Sequence, residues 1–177
     1  MLNKSPTTKP LIADAVKFAN KELAAGHSVM ALRNFSANWE RYAHKHNSSE
    51  LLSLARKAAH SANYIDYDGR LPPALDDSPL ENRVREIAIK AMAIEGVLKG
   101  RTTQMFKRYG YVDTVIKLVQ NNVGGGHFKT ITDAGHIELT AEYVVYRYLS
   151  DRISAELLEK IQLLLIENNV EAYKEAA

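Results

Sequence analysis

Basic and polar side chains concentrate between Arg101 and Leu139, where the regular amphipathic pattern of the chain is interrupted. Gly110 separates two short helical patterns, and a glycine run at 124–126 follows them. Lys and Arg neutralise phosphate, whereas Thr, Gln and Asn form hydrogen bonds with base edges. The region therefore has two interpretations, a DNA-binding segment or an irregular corner of a helical protein.

The first interpretation is a helix-turn-helix at about residues 102–121. Gly110 supplies the tight turn, and Asp113 is the expected cap of the second helix. The second helix would present polar groups to the bases, and basic groups of the first would hold flanking phosphates. Phe106 opposes this interpretation, because closely crossing helices usually need a small side chain there. The candidate nucleic-acid-binding residues are Arg101, Lys107, Arg108, Thr114, Lys117, Gln120, Asn121 and Lys129.

The segment after the second helix resembles the wing of a winged helix. Two short extended patterns flank Asp133-Ala134-Gly135, which is typical of a turn. We therefore expect at most a two-stranded β-hairpin between Phe128 and Leu139, with Lys129 at its edge.

The distribution of charge favours a polyanionic partner more than the net charge of +2 does. Counting Lys and Arg against Asp and Glu gives +5 for residues 1–60, −2 for 61–100, +4 for 101–132 and −5 for 133–177. Such blocks are also typical of solvated helix faces. If residues 101–132 do not bind DNA, the next basic candidates are Arg33, Arg41, Arg56 and Lys57.

Other chemistry finds less support in the sequence. His127, His136 and Glu138 are metal-ligand types, but His136 and Glu138 share a face only in a strand, so we expect loop histidines and no metal. The glycine run lacks the Lys-Ser or Lys-Thr of a phosphate-binding loop and indicates a connection.

The acidic residues likewise indicate structure more than catalysis. Asp66, Asp68, Asp76 and Asp77 do not follow an EF-hand, and the last two favour a following helix start. No serine has a nucleophile-elbow context. We therefore lean against an enzyme and expect no cofactor.

Composition indicates an ordinary globular protein. Of 177 residues, 46% are hydrophobic and 25% charged, and there is no cysteine, so disulfides and thiol chemistry are excluded. The first nine residues are polar, and no window approaches 18 apolar residues. We expect a cytoplasmic protein that does not contact membranes.

Apolar residues at helical spacing predict a mainly α protein of six to eight helices. Pro10 is expected in the first helix after a loose tail at 1–8, with Leu11 on its apolar face and Gly26 as its end. A capping box at Ser78–Glu81 predicts a helix from about Pro79 to Lys99. Further caps are expected at Ser28, Ser48 or Ser49, Thr140 and Ser154, and a helix end at Asn168-Asn169.

The expected organisation is an N-terminal helical unit at 1–62, a packed loop or linker at 63–77, and a C-terminal unit at 78–177, or else one continuous domain. Residues 64–69 read as an extended segment with an Asp-Gly turn. The aromatic stripe of Phe35, Trp39 and Tyr42 is expected in the core.

Two functions remain open. Residues 101–139 would bind duplex DNA, with the outer helices serving dimerisation or regulation. Alternatively, the protein is a helical interaction module without catalytic activity, acting as a homodimer or with a protein partner. Salt distinguishes them, because phosphate binding weakens with ionic strength and an apolar helix contact does not.

Overall fold

The computed structural model describes residues 12–25 and 27–168, so the expectations placed on 1–8, Pro10, Leu11, Gly26 and Asn169 lie outside the described residues. The described part is mainly helical and contains no strand, which confirms the α class. None of its helices has the length and apolar character needed to cross a membrane. The helices are α1 (Ile12–Ala24), α2 (Val29–His46), α3 (Ser49–Arg70), α4 (Pro79–Glu95), α5 (Gly100–Asn121), α6 (Gly126–Asp133), α7 (Ala141–Tyr148) and α8 (Ala155–Glu167).

Most helices begin at the hydroxyl residues that the sequence indicates. Ser28, Ser78, Thr140 and Ser154 each accept a hydrogen bond from the backbone N–H three residues later, at 3.2–3.3 Å. Ser48 does the same for α3. These bonds satisfy N–H groups that have no partner within the helix.

The chain divides after Arg70 into two compact units. In the first, α2 and α3 pack against each other and α1 packs on α3. Phe35 and Trp39 are buried with ring centroids 5.6 Å apart, while Tyr42 is half-buried against Trp39. The aromatic stripe therefore belongs to the core of this unit, as expected.

The prediction of an extended segment at 64–69 is wrong, because α3 continues to Arg70. Tyr67 is buried, and the Asp66 carboxylate accepts hydrogen bonds from Arg33 of α2 at 3.0 Å and from Arg70 at 3.5 Å. These tertiary contacts override the turn preference of Asp-Gly. The helix ends just before Pro72 and Pro73, which disfavour its continuation.

In the second unit, α5 is broken at Gly110, as the sequence indicates. Its φ of 77° and ψ of 178° are accessible essentially only to glycine. The helix restarts at once, and its first free N–H groups, those of Tyr111 and Val112, donate to the two carboxylate oxygens of Glu81 at 2.5 and 3.0 Å. Glu81 is only 5% exposed. A buried carboxylate on α4 therefore caps the second segment of α5.

This arrangement corrects two local expectations. Asp113 is not the cap, since the helix restarts immediately after Gly110 and leaves Asp113 exposed inside it. The capping box of α4 forms only in part: Ser78 caps the helix, but the Glu81 side chain reaches α5, and the Ser78 N–H donates instead to Asp76 at 2.9 Å.

Hydrogen bonds and an aromatic contact hold the chain around the kink at Gly110 in place. The Tyr111 hydroxyl donates to the Pro72 carbonyl at 2.6 Å, and Arg85 Nε donates to the same oxygen at 3.2 Å. Phe106 is buried and stacks on Tyr111, with centroids 4.2 Å apart. Phe106 therefore packs across the break as a core residue.

The prediction of a β-hairpin between Phe128 and Leu139 is also wrong. Residues 126–133 form α6, and Ile137–Leu139 form a short 3-10 helix. Phe128 and Ile131, three apart, are both buried, which is helical spacing, and Gly135 turns the chain with a φ of 82°. Among the described residues there is therefore no wing.

We expect Gly110→Ala to lower the free energy of unfolding of the second unit by about 1–3 kcal/mol. An alanine would be held at a positive φ, and its Cβ would lie 2.6 Å from the Oε1 atom of Glu81. Gly100→Ala is the matched control in the same helix, since nothing lies within 4 Å of its added Cβ. Urea denaturation measures both; equal stability of the two variants would contradict the prediction.

Candidate functional site

An apolar cavity of about 200 Å³ lies within the second unit. Helices α4, α5, α6 and α7 contribute its walls, and we call it the α4–α7 cavity. Its apolar lining includes Val84, Ala88, Met92, Phe106, Val115, Val119, Phe128 and Val144. The kink at Gly110 separates Phe106 from Val115 and Val119, so both segments of α5 contribute to one wall.

Besides Thr102 and Asn122, four titratable side chains line this cavity, and we call them the Glu–His cluster: Glu95, Lys99, His127 and Glu142. They come from the end of α4, the residue before α5, the start of α6 and the first turn of α7. The side chains of Lys99 and His127 are 38% and 32% exposed, whereas that of Glu95 is 8% exposed. The cluster therefore lies where the cavity approaches solvent.

Glu95 is the centre of the cluster. Its Oε1 atom lies 2.8 Å from both Lys99 Nζ and His127 Nδ1. Burial raises the pKa of Glu95, but the hydrogen bonds and charges of His127 and Lys99 outweigh burial and hold this pKa below its ordinary value. Its Oε2 atom is buried and has no hydrogen-bond partner.

Glu142 occupies a different environment. Its Oε1 atom accepts a hydrogen bond from the Gly124 N–H at 2.9 Å, and its Oε2 atom is buried without a partner. The residue is 4% exposed, and burial raises its pKa. The N–H groups of Glu142 and Gly124 and the nearby His127 act in the opposite direction without cancelling this effect.

The cluster thus combines a buried carboxyl group, that of Glu142, with the partly buried carboxyl group of Glu95, and their pKa values are displaced in opposite directions. Such an arrangement is typical of functional sites. Each carboxyl group has an oxygen that can accept a further hydrogen bond, and buried polar atoms in native proteins usually have partners. Within the described residues, no group of three His, Asp or Glu side chains is placed to hold a metal ion. The unpartnered oxygens suit the site to recognition of a hydrogen-bond donor, or to proton transfer.

Short loops build the site from residues that are distant in sequence. Gly124 has a φ of 70° and turns the chain from α5 towards α6, which brings its N–H to Glu142 and His127 to Glu95. The glycine run is thus a connection, as expected, and Gly125 and Gly126 also line the cavity.

Sequence reasoning singled out His127 but grouped it with the wrong residues. His136 pairs with Glu138 at 3.2 Å, both partly exposed, whereas His127 pairs with Glu95, which is 32 positions earlier in the chain. Sequence reasoning missed Glu95, Lys99 and Glu142. The only local signal was the i,i+4 spacing of Glu95 and Lys99, which is common on exposed helix faces.

The predicted nucleic-acid-binding residues separate into three groups. Thr114 is fully buried, so the expectation that it reaches base edges is wrong; it lies three residues after buried Tyr111, on the same inward face. Lys117 is half-buried, with Nζ 4.9 Å from the ring centroid of Tyr109, which Arg108 also approaches at 5.0 Å. The exposed residues are Arg101, Lys107, Arg108, Gln120, Asn121 and Lys129.

The raised pKa of Glu142 predicts a pH-dependent loss of stability. The folded protein holds this proton more tightly than the unfolded chain, so its contribution is full below the ordinary value of 4.5 and is lost as pH rises through the raised pKa. We expect Glu142→Gln to gain stability relative to the parent as pH rises from 4.5. Urea midpoints across this range measure the gain, with Glu159→Gln, an exposed change on α8, as the control. A constant difference between parent and Glu142→Gln at every pH would refute the assignment.

No protein-family model, curated protein or solved structure matches the chain.

Proposed function

We propose that the second unit binds a small, mainly apolar molecule in the α4–α7 cavity. The observation that carries this proposal is the combination of an apolar cavity with two carboxylates, each of which has one buried, unpartnered oxygen. Ligand sites in proteins are typically concave and apolar, with a few polar groups that fix orientation. The Glu–His cluster supplies such groups.

The volume limits the size of the ligand. A cavity of about 150 Å³ admits benzene. The α4–α7 cavity, at about 200 Å³, therefore suits a molecule of roughly eight non-hydrogen atoms. Its walls require that most of these atoms be carbon.

The energetics of Glu142 support a site over a packing defect. A buried carboxylate without an ion pair destabilises the folded state, and an apolar residue of similar size would avoid that cost. Residues that break the rules of core packing are expected chiefly where function requires them. Glu142 is such a residue.

Filling the cavity should abolish binding. Ala88 lines the cavity on α4, and Ala88→Leu places three additional carbons in it. We expect calorimetry with 1-hexanol as the probe to show binding to the parent and an affinity about tenfold or more lower for Ala88→Leu. The variant should also be at least as thermally stable as the parent, since it fills a void.

Ala155→Leu makes the same change at an exposed position of α8 and should leave hexanol binding unaltered. If hexanol bound equally to the parent and to Ala88→Leu, the cavity would not be the binding site.

A second candidate function is binding of a nucleic-acid backbone by the first segment of α5. It is favoured by the exposed side chains of Arg101, Lys107 and Arg108; among the described residues, no acidic group forms an ion pair with any of the three. Arg101 and Arg108 are seven apart and share a helix face. Without a wing and with Thr114 buried, this candidate is restricted to contacts independent of sequence.

The second candidate function predicts how duplex binding depends on salt concentration. Lys107→Ala combined with Arg108→Ala should weaken binding to all duplex sequences alike and lower the salt slope by about one per lost phosphate contact. Lys90→Ala combined with Lys160→Ala removes the same charge from exposed positions on α4 and α8 and is the control. Mobility shifts at several salt concentrations measure the slope. An absence of binding at low salt would leave a helical interaction module as the alternative to this second function.

A further inference from the structure

We propose that the ligand of the α4–α7 cavity is a primary amine, bound as an ammonium ion by Glu142 with its apolar chain along the cavity walls. The inference rests on the proposed function and specifies the chemical class of the ligand. It follows from the charges, the unpartnered acceptors and the fixed orientation of the Glu142 carboxylate.

The two carboxylates of the Glu–His cluster differ in their cationic neighbours. Lys99 and His127 both contact Glu95 at 2.8 Å, so the charge of Glu95 is balanced locally. Glu142 forms no ion pair among the described residues, and its bonded partner is the neutral N–H of Gly124. The carboxylate of Glu142 therefore lacks the direct cationic contacts that Glu95 has. A cationic ligand would supply such a contact, whereas an anionic ligand would place a further negative charge beside Glu142.

The unpartnered acceptors also match an amine. The buried Oε2 atoms of Glu95 and Glu142 both lack a donor. An ammonium group has three N–H donors and no acceptor, whereas a hydroxyl group offers one donor. Buried charges in proteins are stable when they are both paired and hydrogen-bonded. An ammonium ion beside Glu142 meets both conditions.

The backbone orients the receiving carboxylate. The bond from Gly124 holds Oε1 of Glu142, and this leaves Oε2 as the acceptor for a ligand. Glu142 lies in the first turn of α7, where the helix dipole favours a negative charge. Both features favour an ionised Glu142 once a cation is present to compensate for its burial.

The proposal has a pH signature. The ammonium ion binds the ionised form of Glu142, whose pKa is raised by burial, so amine affinity should increase as pH rises from 4.5. The other charged or titratable groups that line the cavity are Glu95, Lys99 and His127. Binding of 1-hexanol, which is neutral, should depend much less on pH.

Three probes of equal chain length test the proposal by calorimetry: n-hexylamine, 1-hexanol and hexanoate. We expect n-hexylamine to bind about tenfold or more tightly than 1-hexanol, and hexanoate to bind most weakly. In Glu142→Gln the preference should disappear, so that the amine and the alcohol bind with similar affinity. Glu159→Gln, the exposed control, should keep the preference. The pH profile of amine binding to the parent provides a readout that needs no variant.

Each outcome decides between the two proposals. If 1-hexanol binds and n-hexylamine binds no more tightly, the amine proposal is wrong while the cavity function stands. Tightest binding of hexanoate would show that Lys99 and His127 select an anion, and would also overturn it. If none of the three probes binds, both proposals are wrong.

Discussion

The second unit depends on the contact between the Glu81 carboxylate and the backbone after Gly110. This contact joins α4 to α5 where α5 changes direction, and it satisfies the N–H groups that the break exposes. Gly110 and Glu81 require each other: the backbone at residue 110 is too close for a side chain, and the carboxylate needs donors to be buried. The positions of Phe106, Val115 and Val119 in one wall follow from this single junction.

The same unit contains a second buried carboxylate, and the contrast between the two is informative. Glu81 has both oxygens bonded to backbone N–H groups, so it is a satisfied structural group. Glu142 has one oxygen bonded and one without a partner, beside a cavity. Burial alone does not distinguish these two carboxylates. They differ in the number of satisfied oxygens and in the space beside them.

The sequence predicted features that depend on neighbours along the chain. The helix starts at Ser28, Ser78, Thr140 and Ser154 and the break at Gly110 follow from capping and backbone preference, which act over a few residues. The predictions failed where tertiary contacts decide. The contact between Asp66 and Arg33 keeps α3 helical across the turn-like dipeptide Asp68-Gly69. Burial of Phe128 and Ile131 favours a helix where the sequence predicted a hairpin.

The Glu–His cluster could not be predicted from local pattern, because its members at 95, 99, 127 and 142 come from three helices and one connection, and each has an ordinary local role. Its link to the glycine run has a dynamic consequence. The amide proton of Gly124 can exchange with solvent only when its bond to Glu142 opens. A ligand that holds Glu142 in place would slow this opening, so the exchange rate of a single backbone amide would report on the occupancy of a cavity built from four helices.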